Sequence, residues 1–222
     1  MYKFLIADDH PLFRDALVSV IRGRFLDCSI HQTEDVATTL EYVNEHSDTD
    51  LILLDLNMPG MGGLNGLLEL RNQAPSVPVA IISAETNKQT ILQTIAYGAI
   101  GFISKSSSRE EMTNAFSQII NGNVYLPANI IRATDDTKFS GQRNKEPTFS
   151  ADMLSTLTRR QLLVLKSMSQ GSANKQIAYD LNISETTVKS HVSAILKKLG
   201  VHNRIQAVVG VTNIDFDRYL RR

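Results

Sequence analysis

Three carboxylates are the side chains of this sequence best placed to do chemistry. Asp8 and Asp9 follow the short apolar run 3–7, and Asp55 follows the aliphatic run 51–54. Apolar runs of this kind, bounded by polar and turn-forming residues, are typical of parallel strands that are buried on both faces of a sheet. Open sheets of parallel strands bind ligands at the carboxyl ends of their strands. The sequence therefore predicts that the three carboxylates lie at one edge of a sheet.

Two further apolar runs add a hydroxyl and an ammonium group to the same edge. Residues 77–82 end at Ser83, and residues 100–104 run into Lys105. Right-handed crossover connections bring the carboxyl ends of parallel strands to one side of the sheet. A single Ser or Lys at a strand end is commonly a capping or surface residue. The joint spacing of all five residues favours one shared pocket.

The predicted pocket suits a magnesium ion and a phosphoryl group. Clustered carboxylates repel one another unless a cation neutralises them, and Mg²⁺ binds one or two carboxylates while leaving positions for phosphate oxygens. An Asp carboxylate can attack phosphorus and form an aspartyl phosphate, which makes Asp55 the candidate nucleophile. Ser83 and Lys105 would then hold the transferred oxygens.

Residues 1–122 resemble the receiver domain of two-component response regulators. The acidic pair, acceptor Asp, hydroxyl residue and Lys of that family correspond here to Asp8, Asp9, Asp55, Ser83 and Lys105. The resemblance implies a flavodoxin-like α/β fold with a doubly wound, five-stranded parallel sheet. It also implies that Mg²⁺ is held by Asp8, Asp9, Asp55 and the backbone carbonyl of Asn57, and that Ser83 and Phe102 form the switch. The family often has Tyr at the position of Phe102, so a hydrogen bond by a switch hydroxyl is lost.

The formal net charge of zero conceals two oppositely charged parts. Residues 1–128 contain 8 Lys+Arg and 15 Asp+Glu, whereas residues 157–222 contain 11 Lys+Arg and 4 Asp+Glu. An acidic first part and a basic second part predict two domains, the second of which is a candidate for binding nucleic acid. Between them, residues 134–148 contain Phe139 as their only large apolar residue and cannot form a core. We expect an exposed linker there.

Length and cysteine usage indicate where such a protein works. A chain of 222 residues suits two modest domains, and it has no apolar stretch near the ~18 residues that span a membrane. The single cysteine, Cys28, cannot form an internal disulfide. We expect a soluble protein of the reducing cytoplasm that has no membrane contact.

Clear helix signals define the basic part. Thr158 and Gln161 predict a capping box, a break follows at 170–172, and a second helix is expected from about Asn174. Two short helices joined in this way suggest a helix-turn-helix. The helix at 185–199 has an apolar stripe and another face that has no acidic side chain and is small enough for a major groove. The residues expected to contact DNA from exposed positions are Lys175, Thr186, Thr187, Lys189, Ser190, Ser193 and Lys197.

Residues 157–212 also resemble a known family, the four-helix DNA-binding domain of the LuxR/NarL type. The resemblance lies in the stretches 157–160, 174–178, 183–191 and 199–204. Gln161 departs from the family's usual Glu, which removes an ion-pair partner. With the receiver, this resemblance implies a FixJ-like response regulator that has a receiver at 1–122, a linker at 123–152 and an all-α helix-turn-helix domain at 153–222. The last short helix, at 203–211, would pair two protomers on DNA.

The leading hypothesis is a transcription regulator that a sensor histidine kinase phosphorylates at Asp55 and that acts as a homodimer on a double-stranded DNA operator. One alternative is a transcription factor that no longer responds to phosphate. Another is a Mg²⁺-dependent phosphoaspartate phosphatase, but Asn57 stands where that enzyme would need a second Asp. We therefore expect no enzymatic turnover beyond slow loss of the phosphoryl group. We also expect a closed resting state, because the two domains have opposite charges.

Overall fold

The computed structural model of the chain describes residues 1–127, 130, 149–201, 204–211 and 214–220. Its first part is a parallel sheet with the strand order β2-β1-β3-β4-β5. The strands are Tyr2–Ala7 (β1), Cys28–Thr33 (β2), Leu51–Leu54 (β3), Val79–Ser83 (β4) and Gly101–Ser104 (β5). The helices between and after them are Pro11–Arg24 (α1), Val36–Glu45 (α2), Asn65–Gln73 (α3), Lys88–Ala96 (α4) and Arg109–Ile120 (α5). The predicted doubly wound, five-stranded sheet is confirmed.

Helices cover both faces of the sheet. Side chains of α1 and α5 form one core with one face, and side chains of α2, α3 and α4 form a second core with the other face. Successive residues of β3 alternate between these cores, with Ile52 and Leu54 on one side and Leu51 and Leu53 on the other. Burial on both faces explains why the central strands are unbroken apolar runs.

The chain that follows α5 remains on the receiver. The Tyr125 N–H donates to the Ile100 carbonyl at 3.2 Å, and the Phe102 N–H donates to the Tyr125 carbonyl at 2.9 Å. Ile130 is buried in the core beneath α2, α3 and α4. The packed receiver thus continues past residue 122, although the boundaries of the linker at 123–152 stay a prediction. Residues 131–148, which include most of that segment, lie outside the described residues.

The second part of the chain is helical. Its described helices are Ala151–Ser155 (α6), Arg159–Ser169 (α7), Asn174–Leu181 (α8), Glu185–Leu199 (α9), Arg204–Val209 (α10) and Phe216–Leu220 (α11). The four central helices are the predicted ones, and the capping box of Thr158 and Gln161 is confirmed. Asn203, where the last predicted helix was expected to begin, lies outside the described residues. The short flanking helices α6 and α11 were not predicted.

This helical domain has its own hydrophobic core. Residues from α6 to α11 form a cluster that shares no buried side chain with the two receiver cores. Phe216 brings the C-terminal helix into this cluster and is 8% exposed. Within the described part of the chain, no helix combines the length and apolarity needed to cross a membrane.

We expect Phe216→Ala to destabilise the helical domain by about 3 kcal/mol, because the substitution empties a buried aromatic position. Urea unfolding of the fragment 149–222 would measure this change. Arg218→Ala on the exposed side of the same helix is the control and should change the free energy of unfolding by less than about 0.5 kcal/mol. Equal stabilities of the two variants would show that α11 is not part of the core.

Candidate functional site

The structure brings the predicted carboxylates together at the carboxyl edge of the sheet. Asp8 follows β1, Asp55 follows the neighbouring strand β3, and both are 1% exposed. The Asp55 N–H donates to the Ala7 carbonyl at 2.8 Å, which continues the pairing of the two strands and fixes the acids side by side. Asp9 is more open, with 32% of its side chain exposed.

Lys105 reaches this pair from the loop after β5. Its Nζ lies 2.8 Å from Asp55 Oδ2 and 2.9 Å from Asp8 Oδ2. Burial lowers the pKa of this ammonium, but the hydrogen bonds and charges of Asp55 and Asp8 outweigh burial and raise the pKa above its usual value. Lys105 is therefore a cation at neutral pH and neutralises part of the acidic pocket.

The two predicted switch residues lie on neighbouring strands. Ser83 ends β4, is 0% exposed, and accepts a hydrogen bond at its hydroxyl from the Glu85 N–H at 3.2 Å. The Lys105 N–H donates to the Ser83 carbonyl at 2.9 Å, so the predicted phosphoryl-binding residues are joined through the backbone. Phe102 in β5 is fully buried beneath α2, α3 and α4. Asn57 is exposed in the turn two residues beyond Asp55.

Three residues of the pocket carried little signal in the sequence. His10 Nδ1 lies 2.7 Å from Asp9 Oδ1 and 3.2 Å from Asp8 Oδ1. The ring centre of Phe13 is 4.9 Å from the Lys105 Nζ, and Arg14 Nη1 donates to the Asp8 carbonyl at 2.5 Å. The position of His10 directly after the acidic pair could have indicated its place. The positions of Phe13 and Arg14 in the pocket depend only on the direction of α1.

The donor set fits the magnesium ion that the sequence predicted. Asp8, Asp9, His10 and Asp55 each offer one ligand atom, and these atoms all lie within 4.8 Å of one another. Asp55 Oδ1 is buried and has no hydrogen-bond partner among the described residues. Mg²⁺ prefers carboxylate oxygens and would satisfy that atom.

The helix-turn-helix elements form a second candidate site. Asn182, with φ +51°, makes the left-handed turn between α8 and the predicted recognition helix α9. On the polar side of α9 the predicted DNA contacts Thr186, Ser190 and Lys197 are exposed, while Thr187 and Ser193 are half-buried. Lys189 is only 4% exposed. The prediction that Lys189 lies on an open face is therefore wrong for this state of the chain.

The receiver buries Lys189. Its Nζ donates to the carbonyl oxygens of Asp48 at 2.6 Å and Thr49 at 2.9 Å, and it lies 3.3 Å from Asp50 Oδ1. These three acceptors belong to the loop between α2 and β3. We call them the lysine socket. An ammonium has three donors, so the socket takes up the whole hydrogen-bonding capacity of Lys189.

Lys175 is held by the receiver as well. Its Nζ lies 3.2 Å from the ring centre of Tyr2 and 3.3 Å from the Met1 carbonyl oxygen. The backbones of the two domains also come close, because a Cβ added to Gly122 would lie 3.2 Å from the Gly171 carbonyl oxygen. Two predicted DNA-binding lysines thus contact the amino edge of the sheet, opposite the acidic pocket.

Comparison with known proteins identifies both parts of the chain. Residues 4–117 match the family described as the response regulator receiver domain, and residues 155–211 match the bacterial regulatory proteins of the luxR family. The chain belongs to the response regulators. It is a DNA-binding transcription regulator with a receiver domain and a LuxR-type helix-turn-helix domain, as the resemblances implied.

Relatives and solved structures agree with this assignment. The chain is 58% identical over 224 residues to the glycerol metabolism activator of Pseudomonas putida, with 100% of each protein covered. It is 32% identical over 208 residues to the nitrate/nitrite response regulator NarP of Escherichia coli, covering 94% of this chain and 93% of that protein. A LuxR-family DNA-binding response regulator from Silicibacter pomeroyi is 32% identical with a TM-score of 0.53, covering 58% of this chain and 99% of that chain. RcsB of Salmonella typhimurium shares the fold at 20% identity, with a TM-score of 0.55 and coverage of 96% and 98%.

We expect Mg²⁺ to stabilise the receiver, because a cation relieves the repulsion between its carboxylates. At 100 times its Kd the ion should add about 2.7 kcal/mol to the free energy of unfolding. Asp9→Asn should reduce this gain by weakening the ion's binding, whereas Asp15→Asn, an exposed site on α1, should leave it unchanged. Urea unfolding of the full chain over a series of Mg²⁺ concentrations measures both. An unaltered gain in Asp9→Asn would exclude Asp9 as a ligand.

Proposed function

We propose that a sensor histidine kinase switches this regulator by transferring a phosphoryl group to Asp55. The observation that carries the proposal is the buried Oδ1 of Asp55, which has no hydrogen-bond partner in the described part of the chain and lies beside the ammonium of Lys105. An Asp55 carboxylate oxygen would form the new bond to phosphorus as the bond from phosphorus to the kinase's histidine nitrogen breaks. The electron pair of that broken bond returns to the imidazole. Bound Mg²⁺ would supply the charge that balances the phosphate oxygens.

Phosphorylation of Asp55 would change the hydrogen bonds of Lys105 and Ser83. Lys105 now divides its hydrogen bonds between Asp55 and Asp8, and a phosphoryl group on Asp55 would give it stronger acceptors. The Ser83 hydroxyl would donate to the same group. Ser83 ends β4, and Lys105 directly follows β5, the strand that holds Phe102. Movement of Ser83 and Lys105 would therefore change the packing around the buried ring of Phe102.

We further propose that the unphosphorylated chain rests in the closed arrangement and cannot bind its operator tightly. Lys175 and Lys189 are two of the predicted DNA contacts, and the receiver occupies both. The receiver is acidic and the helical domain is basic, which favours this contact. Phosphorylation would shift the population toward an open form in which α9 is free.

The open form would act as a homodimer on double-stranded DNA in the cytoplasm. RcsB, which shares the fold, has been solved as dimers bound to DNA. Val209 on α10 is 45% exposed, so the last predicted helix places an apolar side chain partly at the surface. The name of the Pseudomonas putida relative favours activation of transcription, with target genes in glycerol metabolism.

Specific features weigh against the alternatives. The five pocket residues are complete and adjacent, which disfavours a receiver that no longer responds to phosphate. A phosphoaspartate phosphatase would need an acid-base Asp at the position of Asn57. The pocket therefore supports a phosphoryl acceptor that is not an enzyme in its own right.

Incubation with acetyl phosphate and Mg²⁺ should add one base-labile phosphoryl group to the protein. Asp55→Asn should abolish the labelling, because the amide is not a nucleophile at neutral pH. Lys105→Ala should slow labelling or uncouple it from the switch, since it removes a charge stabiliser and leaves the nucleophile in place. Intact-mass spectrometry measures the adduct. A labelled Asp55→Asn protein would refute the assignment of the acceptor.

The fragment 149–222 should bind operator DNA whether or not phosphate donors are present, because it has its own core and lacks the socket. The full chain should bind operator DNA as tightly as the fragment does only when it is phosphorylated. In the fragment, Lys189→Ala should weaken binding by about 1–3 kcal/mol if the ammonium reads a base. Gel-shift titrations at equal salt measure the affinities of the fragment, of its Lys189→Ala variant, and of the full chain with and without phosphorylation. Equal binding by the fragment and the unphosphorylated full chain would contradict the closed resting state.

A further inference from the structure

A second carboxylate lies beside the lysine socket. Glu185, the first residue of α9, lies near Asp50 of the receiver, because a carboxylate oxygen of each is within 4 Å of the Lys189 Nζ. Only 26% of the Glu185 side chain and 10% of the Asp50 side chain are exposed. Two carboxylates held this close and shielded from solvent repel each other when both are charged. The contact between the domains therefore brings together two acids that would repel each other at high pH.

The Lys189 ammonium only partly compensates the charges of the two acids. Lys189 Nζ is 3.3 Å from Asp50 Oδ1 but 3.8 Å from Glu185 Oε1, and its shorter contacts go to two backbone carbonyl oxygens. Lys175 adds a weaker attraction to the charge of Glu185. Among the described residues around this junction, Lys3 pairs with Asp48, Arg71 donates to carbonyls of the loop 74–77, and Arg204 donates to Asn174 and Ser172.

Burial between the domains and, after it, the neighbouring carboxylate of Asp50 raise the pKa of Glu185 to about 7. When the domains separate, water surrounds this side chain at the exposed start of α9. Its pKa should then return toward the ordinary value of 4.5. The closed and open forms thus bind different numbers of protons at neutral pH.

We propose that closing the two domains takes up one proton at Glu185, which the contact buries beside Asp50, so that rising pH opens the resting chain without phosphorylation. This inference rests on the proposed closed resting state. A raised pKa in the closed form means that the contribution to closure is full below 4.5 and is lost as the pH rises through about 7. Alkaline conditions and phosphorylation would then act in the same direction on one equilibrium.

The two pKa values of Glu185 set an upper limit to the change in the ratio of closed to open chain. For a single proton bound with these two values, the ratio of closed to open chain falls by up to about tenfold between pH 6 and pH 8. Solvent around the partly exposed Glu185 screens the interaction and reduces this factor.

Domain separation in the full chain tests the proposal directly. Dyes on cysteines introduced at the exposed positions Glu69 and Ser155, in a Cys28→Ser background, report the distance between the domains by energy transfer. The unphosphorylated protein should lose transfer as the pH rises from 6 to 8. Glu185→Gln keeps a neutral hydrogen-bonding group and should remain closed across this range. Asp180→Asn, an exposed acid of the same domain, should behave as the unsubstituted chain does.

Two histidines near the contact serve as controls, because histidine is the side-chain type that ordinarily changes charge between pH 5 and 8. His46 precedes the socket loop and accepts at its carbonyl from the Thr49 N–H, and His191 lies on α9. His46→Gln and His191→Gln should both keep the pH dependence of the labelled chain. A loss of the dependence in either variant, or its persistence in Glu185→Gln, would overturn the assignment to the carboxyl pair.

The experiment also separates this inference from the function on which it rests. High transfer that does not change between pH 6 and 8 would leave the closed resting state intact and refute the proton uptake. If energy transfer is low at every pH and no higher than in the phosphorylated protein, both the closed resting state and the proton uptake are refuted.

Discussion

The strand β3 is the constraint that positions both the acidic pocket and the lysine socket. Its four residues, Leu51–Leu54, are at most 1% exposed and are paired with β1 on one side and β4 on the other. Asp50 precedes this strand and Asp55 follows it. At ~3.3 Å per residue, the two acids are held roughly 16 Å apart by a segment that cannot bend without opening two cores. The acidic pocket and the lysine socket thus lie at opposite ends of one buried element.

In the proposed mechanism, control of DNA binding follows from competition for the same side chains. Lys175 and Lys189 are predicted DNA contacts, and the receiver takes up their ammonium donors in the closed chain. The receiver loop presents carbonyl oxygens and a carboxylate, which resemble phosphate oxygens in their affinity for ammonium groups. A change at Asp55 need not travel as a displacement through β3. It needs only to favour a receiver form that binds the helical domain less well.

The sequence predicted the features that depend on local residue patterns and on the order of the strands. The strand ends placed Asp8, Asp55, Ser83 and Lys105 at one edge, a capping box located the start of α7, and an apolar stripe located α9. The burial of Lys189 could not be predicted, because it depends on a contact with residues about 140 positions away in the chain. For the same reason Glu185 gave no signal as the partner of Asp50. Helix α11 was missed because its stability comes from Phe216 packing into a core, and not from a strong helical pattern of its own.

The backbone of β5 gives a second route from the pocket toward the helical domain. Its loop carries Lys105, its centre carries Phe102, and its outer edge pairs with Tyr125. The Phe102 N–H donates to the Tyr125 carbonyl, so the residue of the switch ring is bonded directly to the chain that leaves the receiver. No side chain could be added at Gly101 without pushing Tyr125 away, because a Cβ there would lie 3.1 Å from the Tyr125 carbonyl oxygen. The start of the interdomain segment is therefore positioned by the same strand that holds the switch, whereas the socket is positioned by β3.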